Sequence, residues 1–174
     1  MVIREGTEGD IGSIANLHVQ SWRTAYRGIL SDDYLDGRAH KDRLAIWQER
    51  FSGQGSKRMF VLVAERDDQL AGFVCVFPQE DAVFGSFLDN LHVAPELTGQ
   101  GIGRQLLSEA ARRLLTDGPR VSLYFWVFEQ NRRARQFYER TGAIAAGSAE
   151  NPMPDGKRVL SVRYYWPDPA TLLL

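Results

Sequence analysis

The segment from Leu88 to Leu115, LDNLHVAPELTGQGIGRQLLSEAARRLL, constrains this chain more than any other. It opens as an apolar, strand-like run and breaks at Ala94-Pro95. Three glycines follow, Gly99, Gly101 and Gly103. The apolar residues Ile102, Leu106, Leu107, Ala110, Ala111 and Leu114 then fall at helical spacing on one face. A strand therefore feeds a glycine-rich turn that opens a helix. Such a turn gathers backbone N–H groups at the positive end of a helix dipole, which suits an anion such as a phosphate. Glycine removes the side chains that would keep the ligand away. A tight turn that simply packs a helix on its strand uses the same residues. Two nucleotide motifs do not fit. Gly103 is followed by Arg104-Gln105 where a P-loop needs Lys-Ser/Thr, and Gly99-Gln100-Gly101-Ile102-Gly103 is one residue short of the dinucleotide fingerprint.

A second stretch, Asn131 to Ala143, follows the strongly apolar run Val121 to Val127. Together the two stretches resemble the GNAT superfamily of N-acetyltransferases. That family's acetyl-CoA loop reads Gln/Arg-x-x-Gly-x-Gly/Ala after a strand ending like Leu-x-Val-x-Pro. Leu91-His92-Val93-Ala94-Pro95 and Gly101-Ile102-Gly103 match it. The later helix often opens with Asn and ends near Phe-Tyr-x-x-x-Gly, as do Asn131 and Phe137 to Gly142. Thr98 departs from the pattern, standing where Gln or Arg is usual. The resemblance implies an α+β (mixed α/β) fold: a central, mostly antiparallel seven-stranded sheet with splayed strands 4 and 5, flanked by about four helices. It implies acetyl-CoA as co-substrate in the gap between those strands.

The chain's 174 residues fit one domain. Hydrophobic content of 44% and a net charge of −1 give no global reason to expect nucleic acid or a membrane. No apolar run spans a bilayer, and Met1 to Gly6 lacks a signal-peptide core, so the cytoplasm is the default location. Cys75, alone in an apolar run, reads as a buried structural thiol. His18, His40 and His92 are scattered, and no metal site is expected.

In order, Met1 to Gly6 reads as a strand. Thr7 caps a helix carrying Ile11, Ile14, Ala15, His18, Val19, Trp22 and Tyr26. A second helical region holds Tyr34, Leu35, Leu44, Trp47 and Phe51, interrupted near Gly37. Ser52 to Ser56 is a flexible loop. Strands are expected over Met59 to Glu65, Leu70 to Phe77 and Val83 to Val93. The glycine-turn helix stops at Gly118-Pro119. Val121 to Val127, Ala143 to Glu150 and Val159 to Trp166 are further strands, and the tail from Pro167 is irregular. An exposed final strand over Val159 to Trp166 would permit a homodimer.

The implied reaction is direct acetyl transfer to a small-molecule or protein amine. The amine, with a pKa near ~10, must lose a proton before it attacks. Tyr138 is the implied acid for the leaving thiolate, with packing against Phe137 and Ala134 as its structural alternative. Asp89 shares the face of Leu91 by strand alternation and is a candidate base. A water chain is the alternative, and a bulge would present Asn90 or His92 instead. Cofactor-binding positions are Leu91, His92, Val93, Gly99, Gln100, Gly101, Ile102, Gly103, Arg104 and Asn131. Arg132, Arg133 and Arg135 stand near the same end. By the resemblance Trp22, Tyr26, Tyr34 and Trp47 are substrate-side aromatics, or they build the core. A non-catalytic acyl-CoA-binding module is the rival reading.

Overall fold

The computed structural model describes residues 1–53, 58–118 and 122–174. Gln54, Gly55 and Ser56 of the expected loop, Pro119 of the helix stop and Val121 of the expected strand lie outside them. Seven strands alternate with helices: β1 Val2–Glu5, α1 Ile11–Ala25, α2 Ala39–Phe51, β2 Phe60–Arg66, β3 Gln69–Asp81, β4 Gly85–Val93, α3 Ile102–Asp117, β5 Leu123–Phe128, α4 Arg132–Arg140, β6 Ile144–Pro152 and β7 Arg158–Trp166. The sheet runs β1-β2-β3-β4-β5-β7-β6, as the α+β expectation required. β4 and β5 are parallel, and their neighbours pair antiparallel.

Apolar periodicity places α3 on one face of the sheet. Ile102, Leu106, Leu107, Ala110, Ala111 and Leu114 are buried against Val74, Val76, Leu88 and Phe125. Each large side chain buried this way stabilises the fold by about 1.5–3 kcal/mol. The other face carries α1 and α2, where Ile14, Ala15, Leu17 and Trp47 cover Val61, Val63, Phe73 and Cys75. Asp10 accepts from the Thr7 backbone N–H at 2.8 Å, and Arg4 donates to Asp10 at 2.8 Å. The Arg4 guanidinium holds the Asp10 carboxyl down at about 2.

Three expectations need correction. The stretch Val159 to Trp166 is not an edge, because β7 inserts between β5 and β6 and is paired on both sides. The open edge on that side is β6. Gly37 does not break the second helical region. It lies in a wide π turn, Tyr34–Arg38, that runs directly into α2. The tail is not irregular. Pro169–Leu172 forms a 3-10 turn whose Leu172 is buried in the α3 core, and the Leu174 N–H donates to Ser108 Oγ at 3.0 Å.

Candidate active site

Among the described residues β4 and β5 are in register at two pairs, Ser86 with Leu123 and Phe87 with Tyr124. Beyond Phe87 they diverge, and β4 keeps its ladder with β3 alone. The Ala94 N–H donates to the Ala71 carbonyl at 2.9 Å. By alternation, Ala94 and His92 therefore turn their peptide groups to β3, while Leu91 and Val93 turn theirs into the gap. Buried peptide groups of that kind need a partner, which an extended ligand can supply.

The glycine turn closes one end of this gap. Gly99 and Gly101 both sit at φ +83°, where only glycine is unstrained. A Cβ at Gly99 would meet nothing within 4 Å, and at Gly101 only Gln105 at 4.0 Å, so the approach is open. The first bond tying the turn into α3 runs from Gln105 N–H to Gly101 C=O at 3.1 Å. The N–H groups of Ile102, Gly103 and Arg104 thus have no partner within the helix. Gly103 serves differently. A Cβ there would make ordinary contact with Phe137 at 3.5 Å and Val93 at 3.6 Å, so Gly103 marks where α3, α4 and β4 meet.

The polar residues of the turn are pinned. Gln100 accepts from Arg66 at 2.8 Å. Thr98 donates to the Pro95 carbonyl at 2.9 Å and accepts from Arg133 at 2.8 Å, so α4 brings a guanidinium to the place where the usual Gln or Arg is missing. Arg104 is exposed on the first turn of α3. Arg135 is engaged elsewhere, donating to Tyr164 at 3.1 Å and to the Glu129 carbonyl at 3.3 Å. Asn131 caps α4, accepting from the Ala134 N–H at 3.2 Å.

Tyr138 lies on α4 with its ring 4.0 Å from Phe125 and 5.9 Å from Trp166. Burial, and then the charge of Tyr26, push its phenol up, well above the ordinary value. Tyr26 stacks near Phe128 at 4.6 Å, and burial followed by the charge of Asp89 pushes it up to about 12. Tyr26 thus lies within electrostatic reach of both Tyr138 and Asp89.

Asp89 is reached by a route that alternation did not give. β4 slips register between the Cys75–Asn90 and Val76–Leu88 pairs, leaving Asp89 as the extra residue of a bulge. Leu88 and Leu91 therefore share the α3 face, whereas Asp89 ion-pairs with Arg50 of α2 at 2.7 Å. Arg50 also donates to Asn90 at 3.0 Å and lies over the Trp47 ring. His92 faces α1 and does not face the gap. Its Nδ1 is 2.8 Å from Ser21 Oγ, its ring lies 4.5 Å from His18, and burial followed by the charge of Arg43 pushes it down to about 3. Neither its side chain nor its peptide group reaches the cradle. Trp22 is buried in the cluster with Tyr34 and Leu35, while Tyr26 is half-buried beside it.

Sequence reasoning missed Arg43 and Arg50. Arg43, Trp47 and Arg50 follow helical spacing on one face of α2, and two arginines on an otherwise inward face were the available signal. Among the described residues, no group of His, Cys, Asp and Glu can hold a metal ion, and no helix is long and apolar enough to cross a membrane.

The family profile described as "Acetyltransferase (GNAT) family" matches residues 19–143. An uncharacterized N-acetyltransferase, YuaI of Bacillus subtilis, is 32% identical over 99% of this chain and 96% of its own length. A spermidine N(1)-acetyltransferase of Thermoplasma acidophilum is 26% identical over 80% of this chain and 86% of its own. Among solved structures, the PaiA N-acetyltransferase of Thermoplasma acidophilum in complex with coenzyme A superposes with a TM-score of 0.68 at 22% identity, covering 92% of this chain and 96% of that one.

Proposed function

The chain belongs to the acetyltransferase (GNAT) family and is an acetyl-CoA-dependent N-acetyltransferase, and on that premise we propose that it acetylates an amine by direct transfer across the gap between β4 and β5. The observation that carries this reading is the open glycine turn leading into an unpaired strand edge that ends at Tyr138 and Asp89. The N–H groups of Ile102, Gly103 and Arg104 would hold the pyrophosphate, with Arg133 and Arg104 adding charge. The peptide groups of Leu91 and Val93 would pair with the pantetheine amides, and the amide group of Asn131 stands at the same edge. Acetyl-CoA supplies an acyl thioester. Cys75 takes no covalent part: it is buried, and burial pushes its thiol up to about 12, far from a nucleophile.

Asp89 takes the proton that the amine loses, directly or through water, while Arg50 fixes the carboxylate at the bulge. The amine nitrogen bonds to the acyl carbon, the carbon–sulfur bond breaks with its electron pair leaving on sulfur, and the second proton of the nitrogen passes through water to that thiolate. A thiol is ordinarily a stronger acid than the raised Tyr138 phenol, so Tyr138 acts mainly by donating a hydrogen bond to the sulfur as charge develops there. The buried thiol suits a reducing compartment, which supports a cytoplasmic location. A homodimer, if formed through the sheet, would use the β6 edge.

Thermal melting with acetyl-CoA, CoA, ATP and NAD side by side tests the cradle. A ligand at 100 times its dissociation constant adds about 2.7 kcal/mol to the folded state. A rise in Tm with the CoA species alone is expected. A rise with ATP or NAD instead would overturn the assignment. Thiol release on adding amines then separates an enzyme from a module that only binds acyl-CoA.

A further inference from the structure

On the α1 and α2 side of the sheet, three buried polar atoms make no hydrogen bond of good geometry among the described residues: His18 Nε2, Tyr34 Oη and Arg43 Nε, with Asp42 and Arg43 near enough to act on the Tyr34 hydroxyl. They belong to one neighbourhood. The Arg43 guanidinium lies 4.5 Å over the Trp22 ring, and His18 meets the same ring edge-on at 4.9 Å. Tyr34 packs in the same cluster as Trp22, and the charge of Arg43 acts on both Tyr34 and His18.

All three can donate. Arg43 Nε carries a hydrogen and accepts nothing. Tyr34 offers its hydroxyl. For His18 the tautomer is dictated. Trp47 Nε1–H, a donor only, points at His18 Nδ1 at 3.1 Å, so Nδ1 is the acceptor and the proton of the neutral ring sits on Nε2. Burial, and then the charge of His92, hold that ring neutral. The charges point the same way. Arg50 is satisfied by Asp89 and Asn90, whereas Arg43 makes no ion pair among the described residues. A half-buried cation beside two buried donors without a well-formed hydrogen bond suits an oxygen-rich anion, because each group left unpaired costs free energy that a carboxylate would recover.

We propose that the acceptor carries a carboxylate as well as its amine, as an amino acid does, and that Arg43 holds that carboxylate with the Tyr34 hydroxyl and the His18 N–H behind it. The amine then reaches toward Asp89, Tyr26 and Tyr138, and Asp89 and Arg43 divide the two charges of one zwitterionic substrate between them. A polyamine, which has no anionic group to offer, would leave Arg43 repelling it. His18 and Tyr34 are buried while Arg43 is part-exposed, so the carboxylate meets Arg43 first.

This inference rests on the acetyltransferase reading, and the test separates the two. Thiol release from acetyl-CoA is measured with free amino acids, with the same amino acids as carboxamides, and with spermidine. At least a tenfold higher kcat/KM for one or more carboxylates over their carboxamides is expected. Arg43→Gln should raise KM for the carboxylate substrate at least tenfold. The preference for carboxylate over carboxamide, read as the ratio of their kcat/KM values, should fall toward one, with Tyr34→Phe doing the same more weakly. Efficient turnover of spermidine or of carboxamides, unaffected by Arg43→Gln, would overturn the inference and leave the acetyltransferase standing. If no amine turns over, the Tm of the CoA-bound protein decides. A rise with free amino acids that Arg43→Gln or Tyr34→Phe abolishes supports the inference, and no such rise overturns it. No Tm response to CoA itself would overturn the underlying reading instead.

Discussion

Tyr138 concentrates the chemistry at the residue scale. Its ring is fixed by Phe125 and Trp166, so loss of the hydroxyl alone leaves the packing in place. Tyr138→Phe should lower kcat roughly 10- to 100-fold while the dissociation constant of acetyl-CoA stays within about twofold. Thiol-release kinetics and titration calorimetry read the two quantities separately. Wild-type turnover would make Tyr138 a core residue only. The sequence made Tyr138 legible because Phe137-Tyr138 and Gly142 stand in a recognisable motif. The partner on which Asp89 depends was not legible. Arg50 lies 39 positions earlier in the chain, and nothing local in either segment indicates the ion pair.

At the scale of elements, the bulge in β4 separates what could be read from what could not. Leu88, Leu91 and Val93 all pack on the α3 side, and Leu88 and Leu91 are an odd number of positions apart. Strict alternation cannot bring both to one face, so the slip was written in the apolar pattern. The same pattern turns His92 away from the gap once Leu91 and Val93 are assigned to it. The glycine turn was legible because its function resides in the backbone. Gly101→Val places a branched side chain at φ +83° and into the open approach. The left-handed conformation costs about 1–2 kcal/mol, little enough for the protein to stay folded. The rise in Tm with CoA should disappear. A retained rise would mean that the cradle lies elsewhere.

The whole molecule adds what no single segment contains. That β7 slots between β5 and β6 follows from where the last segment finds two open ladders, not from its own composition. The tail was misread for a similar reason. Three leucines after Pro169-Ala170-Thr171 show no periodicity, yet Leu172 enters a site that α3 and the sheet have already shaped. Leu172→Ala should destabilise the fold by roughly 2–3 kcal/mol. For a chain of this size that lowers Tm by roughly 5–10 °C, with CoA affinity unchanged. An unaltered melting curve would show that the tail is not part of the core. The parting of β4 from β5 has a last consequence. Among the described residues only two register pairs, with the Ser86–Ser122 and Ser122–Phe84 hydrogen bonds beside them, join the four-strand and three-strand halves of the sheet edge to edge, so the sheet resembles a book with a narrow spine. Whatever lies along the open page edges works as a binding strip. A ligand laid there would take the ladder positions on β4 that β5 leaves open.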